Sequence, residues 1–310
     1  MRIIVTGGAG FIGSNLVHVL VQAHEVCIVD DLSSGRPENL HPAAMMRTMD
    51  ILDQRLPGVF EEFAPEAVVH LAAQPSVTAS FADPERDHAV NVEGTRAVAR
   101  AARAAGARRV LSASSAAVYG EPAEIPLREE SRTEPANPYG TSKLTAESVL
   151  AEELGGSECD FASLRFANVY GPRQDAAGEG GVVAVFCSAL AEGRAPVIHG
   201  DGMQTRDFIY VGDVVGALVT AVAHEGALGG EGIQGVYNIA TGVETTIQAL
   251  ADTLRPAAQF FGPFEHVPER EGDVRRSALD PAKAADTLGW QAAVPLATGL
   301  GATFRWFARR

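Results

Sequence analysis

Cysteine is scarce in this chain: Cys27, Cys159 and Cys187 are the only three among 310 residues. Their spacing fits neither a disulfide framework nor a metal knuckle, and Cys27 falls inside a strand-like run. The expectation is three reduced, buried thiols in a cytoplasmic protein. His18, His24, His70, His199 and His266 are scattered without ligand spacing. That favours structural roles and no metal site. No apolar run approaches the length of a membrane span, and the N-terminus leads straight into a strand with no signal-like segment. Positive charge is in deficit as well. The 25 lysines and arginines face 39 acids, a net charge of −14, which argues against nucleic acid or an anionic membrane as partner. An anionic substrate must then be met by local cations. Internal repeats and low-complexity tracts are also missing.

What is present is an α/β rhythm. Arg2–Thr6 (RIIVT) reads as a short buried strand, the glycine-rich run 7–13 follows at once, and 14–22 has helical apolar spacing. Strand, glycine turn and helix together form the context of a dinucleotide fingerprint. Gly7 permits the tight turn, Gly10 lets the backbone approach a pyrophosphate, and Gly13 lets helix and strand pack closely. The helix N-terminus offers its free N–H groups to the phosphates. The second strand, 25–29, ends at Asp30 and Asp31. Asp30 lies 17 residues beyond Gly13, near the position of the acid that binds the ribose 2′-OH and disfavours a 2′-phosphate, so NAD is expected rather than NADP.

Further strands are expected at 67–71, 109–112 and 161–166, and helices at 89–105 and 141–154, each helix closed by glycine. This order implies a Rossmann-type doubly wound parallel sheet. Beyond about Phe166 glycine, proline and loops dominate, with a helix at 211–223 and a strand at 235–239. The expected division is a dinucleotide-binding domain over 1–165 and a smaller, interwoven substrate lobe over 166–310, with part of about 206–240 returning to the first domain. The helices 89–105 and 141–154 carry small or mixed faces; they either pair with symmetry mates in a homodimer or face solvent.

Tyr139 and Lys143 stand four residues apart on this pattern, one helical turn on one face. An ammonium held there favours the ionised phenol and is expected to draw its pKa down towards neutrality. Tyr139 is therefore a candidate proton shuttle for a hydroxyl undergoing oxidation.

The segments TGGAGFIGSNL, VDDLSSG, HLAAQPSV, NVEGT, SASSAAVYGEP, PYGTSK, LRFANVYGPR, GDGMQTRDFIYVGDV and EREGD together resemble the extended short-chain dehydrogenase/reductases. Among these they are most similar to the UDP-glucose (UDP-galactose) 4-epimerase group, and the resemblance spans nearly the whole chain. It implies Ser115, Tyr139 and Lys143 as catalytic residues. It places the NAD pyrophosphate on Gly7, Gly10, Phe11, Ile12 and Gly13, the adenosine ribose on Asp30 with Asp31, Ser33 and Gly35 nearby, and adenine at Asp50 and Ile51. Leu71, Ala72 and Ala73 line the cofactor, with Asn91 on its phosphate side. For the nucleotide-sugar substrate it implies Ser114, Ser115, Asn168, Val197, Ile198, Arg206, Arg270 and Asp273. Guanidinium forks suit a diphosphate; the alternative for Arg206 and Arg270 is an ion pair with the neighbouring Asp207 and Glu271. Ser277 is small where relatives vary, which leaves room for a 2-N-acetyl group.

Two sibling chemistries are weighed against it. Sugar dehydration needs an acid pair where this chain has Ala116 and Ala117. A uronate epimerase carries threonine and arginine where this chain has Asn168 and Asp175, and an acid at 175 is expected to repel a uronate. The activity implied is NAD-dependent 4-epimerisation through a 4-keto sugar, with a dTDP-sugar 4-epimerase, a 4-ketoreductase and a non-catalytic NAD sensor as alternatives.

Overall fold

The structure, a computed structural model, describes residues 1–176, 181–229, 235–269 and 274–310. Twelve strands occur among them, numbered in chain order: β1 (Arg2–Thr6), β2 (Glu25–Asp30), β3 (Met45–Thr48), β4 (Ala67–His70), β5 (Arg109–Ser115), β6 (Asp160–Phe166), β7 (Asn168–Tyr170), β8 (Val197–His199), β9 (Thr205–Tyr210), β10 (Val236–Ile239), β11 (Glu244–Thr246) and β12 (Glu265–Val267). Seven of them form one sheet in the order β10-β6-β5-β4-β1-β2-β3. Every pairing in it is parallel.

Strand period explains the layering. Ile3 and Val5 face one side of β1 and pack with Leu16, Val17, Val214 and Leu218 from the helices Phe11–Leu20 and Val211–Ala223. Ile4 faces the other side and joins Phe60, Val98 and Leu150 from the helices Leu56–Phe63, Gly94–Ala104 and Pro138–Leu154. Helices cover both faces, so the strands are apolar throughout rather than alternating. The order reverses between β1 and β4, and the crevice at their C-terminal ends is where such folds bind ligands.

The chain leaves this sheet after β6 and re-enters it as β10, which pairs with β6. The intervening and following segments build a second core. There the three-stranded sheet β11-β9-β7 and the pair β12-β8 join Phe186, Phe208, Leu250 and Leu300. The helices Val182–Ala191, Ile247–Ala258, Ala282–Leu288 and Leu296–Phe307 were not legible through the proline and glycine punctuation.

Three expected helices change, the first from 14–22 to Phe11–Leu20. The helix expected at 141–154 begins at Pro138, because Asn137 caps it: its side chain accepts from the Gly140 N–H at 2.8 Å. Proline suits the first helical position, whose N–H has no partner anyway. The continuous helix expected over 89–105 is instead a π-helical segment, Ala89–Glu93, leading into Gly94–Ala104. Ile51 presses against Gly94 so closely that a Cβ there would lie 2.4 Å from its Cδ1.

Candidate active site

The glycine turn follows directly from β1. Gly7 has φ +70°, and a Cβ on it would lie 2.6 Å from the Ala72 nitrogen; a Cβ on Gly13 would lie 2.1 Å from the Gly7 oxygen. Only glycine fits either place. The helix Phe11–Leu20 starts at Gly10 with no side-chain cap and no acid in its first turn, so its N-terminal dipole faces the crevice uncompensated. Phe11 and Ile12 are half-buried there.

At the end of β2, Asp30 is buried. It accepts N–H bonds from Ala9 and Leu32, both at 2.9 Å, and burial raises its pKa against those bonds. Gly35 closes over it, within 2.6 Å of its Oδ1 for a hypothetical Cβ. Asp31 is exposed and holds the Ser33 N–H and hydroxyl. Asp50 accepts from the Leu52 N–H, and Ile51 beside it is buried. Leu71, Ala72 and Ala73 are half-buried along the β4 side, where the Leu71 N–H donates to the Thr6 carbonyl.

Asn91 lies in the π segment, 1% exposed. Its amide donates to the Gln74 carbonyl, Asp87 and Ser142, and its oxygen accepts from the Gln74 N–H. It braces the 71–76 loop against the Tyr139 helix.

The catalytic candidates meet where β5 ends. Ser115 is its last residue, and its hydroxyl oxygen accepts from the Ala117 N–H at 3.1 Å. The Tyr139 phenol neighbours the Ser115 hydroxyl closely enough for that hydroxyl to favour its ionised form. Lys143 Nζ lies 6.0 Å from the Tyr139 ring centroid and donates to the Ala113 carbonyl at 3.1 Å. The Tyr139 N–H donates to the Ser80 hydroxyl, which fixes the first helical turn.

One electrostatic expectation is overturned. Burial raises the Tyr139 pKa, the neighbouring Ser115 hydroxyl lowers it only in part, and Asp87 raises it further. Burial lowers that of Lys143 to about 8, opposed by Asp87 and Glu147. The chain by itself thus favours the neutral phenol: desolvation outweighs the ammonium one turn away.

Other candidates divide. Asn168 is exposed at the start of β7, just past β6. Arg206 lies on β9 opposite Thr245 and donates to the Thr205 carbonyl at 2.7 Å. Asp207 is not the ion partner weighed for it. That carboxylate is buried and is engaged by Thr241, Gly242 and Leu279. Ser277 is half-buried, two residues past Arg275, whose carbonyl accepts from Thr205. Arg270 and Asp273 lie outside the described residues.

Three readings are corrected by orientation. Ser114 is buried with its hydroxyl on Glu147 at 2.5 Å, because alternation along β5 turns it away from Ser115. Ile198 is fully buried in the second core, leaving half-buried Val197 as the accessible member of that pair. Asp175 pairs with Arg36 at 2.8 Å, so its charge is compensated and the repulsion of a uronate loses its force.

The three thiols are buried, and burial pushes them up to about 11 for Cys27 and Cys159 and about 12 for Cys187. His70 sits between Thr6 and Thr95, with burial pulling its pKa to about 3. Among the described residues no group of three or more His, Cys, Asp or Glu is placed to hold a metal, and no helix is long and apolar enough to cross a membrane.

A family model described as the NAD dependent epimerase/dehydratase family matches residues 3–240. A UDP-glucose 4-epimerase of Mycolicibacterium smegmatis is 45% identical, over 100% of this chain and 99% of that protein. A UDP-glucose 4-epimerase of Thermotoga maritima, solved with UDP-glucose, superposes with a TM-score of 0.94 at 38% identity, covering 100% of this chain and 99% of that one. A UDP-N-acetylglucosamine 4-epimerase of Methanobrevibacter ruminantium, solved with UDP-N-acetylmuramic acid, gives 0.93 at 33% identity over 99% and 98%. The chain belongs to the NAD dependent epimerase/dehydratase family. The expected α/β Rossmann-type fold and NAD cofactor hold. The glycine cradle, the uncapped helix and Asp30 fit that cofactor.

Proposed function

We propose that this chain inverts C4 of a UDP-linked hexose, interconverting UDP-glucose and UDP-galactose, with UDP-N-acetylglucosamine and UDP-N-acetylgalactosamine as further substrates. The observation that carries the proposal is Ser115, at the end of a strand beside the dinucleotide crevice, next to Tyr139 with Lys143 one turn on. Full-length similarity to UDP-glucose 4-epimerases supports the substrate.

Gly7, Gly10 and Gly13 with the helix N-terminus would hold the pyrophosphate, and Asp30 the adenosine ribose. Arg36, the nearby cation that a 2′-phosphate could use, is paired with Asp175, which favours NAD. When bound, NAD supplies a reversible hydride acceptor. Tyr139, ionised once the cationic nicotinamide adds its positive charge to that of Lys143, would take the proton of the C4 hydroxyl, directly or through Ser115, and return it after the 4-keto sugar has turned its other face. Lys143 holds positive charge beside the phenol. Asn168, Arg206 and Arg270 would grip the nucleotide diphosphate while the hexose turns, with Asp273 on the uridine ribose. No net redox results, so the cofactor need not exchange. Half-buried Ser277 supports the N-acetyl substrates, since a small side chain leaves volume at C2.

The three buried thiols support a cytoplasmic setting. The helices Gly94–Ala104 and Pro138–Leu154 pack together, and the latter turns Thr141 and Ser148 outward. That face supports a homodimer, which light scattering on the purified chain would test.

The direct test is incubation with UDP-galactose and detection of UDP-glucose without added cofactor. Tyr139→Phe should abolish conversion and keep NAD bound. Conversion at the wild-type rate in that variant rules the mechanism out.

A further inference from the structure

We propose that Glu147 is a positioning residue for this site: it ties the end of β5 to the helix carrying the phenol and supplies a counter-charge to the Lys143 ammonium. The inference rests on the assignment above of Ser115, Tyr139 and Lys143 to the chemistry.

The geometry is a single stripe. Tyr139, Lys143 and Glu147 follow at i, i+4 and i+8 along the helix Pro138–Leu154, so they lie above one another on one face. Glu147 is buried and reaches across to two strands. Its Oε1 accepts from the Ser114 hydroxyl at 2.5 Å and from Arg165 Nε at 2.8 Å, and its Oε2 accepts from Arg165 Nη2 at 2.7 Å. Arg165, 2% exposed on β6, also donates to the Tyr119 hydroxyl and the Glu129 carbonyl. Tyr119 in turn donates to Asn238 on β10.

A buried ion pair is by itself a weak source of stability, since apolar residues of similar volume often serve as well. The Ser114 hydrogen bond does something a pair alone would not. Ser114 directly precedes Ser115, so the bond sets how far the Ser115 hydroxyl stands from the helix that presents Tyr139. About 1 Å of misplacement at a reacting group costs on the order of 100-fold in rate.

The charge matters too. The charges facing Lys143 are Asp87 on the helix Pro84–His88 and Glu147 on its own helix, while His70 on β4 is neutral and the Tyr139 ring centroid lies 6.0 Å from Nζ. Asp87 and Glu147 are the two acids that oppose the effect of its burial. Asp87 is also bonded by the Gln74 and Asn91 amides.

Composition makes the test clean, because Lys143 and Lys283 are the only lysines in the sequence. Lysine labelled with ¹³C at Cε gives two side-chain signals in the full chain, and Lys283→Arg assigns them. Wild-type Lys143 should titrate near 8. Glu147→Gln keeps the size and the acceptor for Ser114 but removes the charge; Lys143 should then titrate lower by about one pH unit. Ser114→Ala keeps the Glu147–Arg165 pair and cuts only the link to β5. Its kcat for UDP-galactose should fall about tenfold with KM unchanged, and Ser114→Thr should recover most of it.

A Lys143 titration unmoved in Glu147→Gln overturns the proposal, as does a wild-type kcat in Ser114→Ala. Should Glu147→Gln fail to fold, the serine variants decide. A wild-type chain that converts no UDP-hexose refutes the functional reading instead, and the lysine titration still tests Glu147.

Discussion

Gly13→Ala should cripple the protein, whereas Gly58→Ala, the same chemical change, should stabilise it. At Gly13 the new Cβ would lie 2.1 Å from the Gly7 oxygen and 2.9 Å from its carbonyl carbon, against a practical floor of 3.0 Å. Both obstacles are backbone, so the helix Phe11–Leu20 must retreat from β1 by about 1 Å, at a cost of roughly 3 kcal/mol. The retreat also withdraws the N–H groups meant for the pyrophosphate. Losing two such bonds, at ~1.5 kcal/mol each, weakens NAD about 100-fold. Gly58 is exposed in the helix Leu56–Phe63 with nothing within 4 Å of a Cβ, so alanine should add about 0.5–1 kcal/mol through helix propensity. Urea melts of the three proteins measure the stabilities, and fluorescence titration measures NAD binding. A Gly13→Ala protein that melts with wild type and binds NAD equally would refute the steric reasoning.

Other expectations follow from the buried polar groups. His70 is held neutral, with a pKa far below that of a free histidine. The unfolded chain therefore binds the extra proton as pH falls from about 6.5 towards 3, and stability is lost over that window. Acidifying from pH 7 to 4 should cost about 3 kcal/mol at this residue; His70→Gln should flatten that part of the curve, and urea midpoints at the two pH values decide. Arg109 donates to the Ala221, His224 and Gly226 carbonyls and pairs with Asp160. Arg109→Met should cost about 3–5 kcal/mol by leaving these acceptors unmatched, and a thermal shift below ~2 °C would contradict it. Asp30→Ala should loosen the Ala9 and Leu32 N–H groups together and weaken NAD at least tenfold; unchanged affinity by calorimetry would show that the carboxylate does not hold the ribose.

The dinucleotide half of the fold was legible because its signals are local. A strand of β-branched residues, glycines at 7, 10 and 13, and an acid closing β2 each declare their own conformation. The Tyr139–Lys143 pair was legible for the same reason, being one turn of one helix. What escaped depended on distant partners. Nothing near Asn91 announces that its helix widens, nor that Ile51 from a separate segment packs against Gly94 just beyond. Ser114 and Ser115 are chemically alike, and only the sheet decides that one faces Glu147 and the other Tyr139. The sign of the Tyr139 shift was misjudged because sequence shows the neighbouring charge and hides the burial. The Asn137-Pro138 start, by contrast, was available as a cap followed by a first-turn proline.

The wide turn at Ala89–Glu93 also bears on insertions and deletions. A π turn holds one residue more than the α-helical register around it needs. Removing one residue there would let an ordinary helix run straight through, locally unstrained. The side chains beyond it would keep their places, because the extra residue is taken up within the wide turn. Thr95 would still meet His70, and the arginines at 96 and 100 would still meet Glu153. A single-codon loss at this spot should thus spare the seam between two helices, whereas the same loss within the helix Gly94–Ala104 would rotate every later side chain by ~100° about the axis.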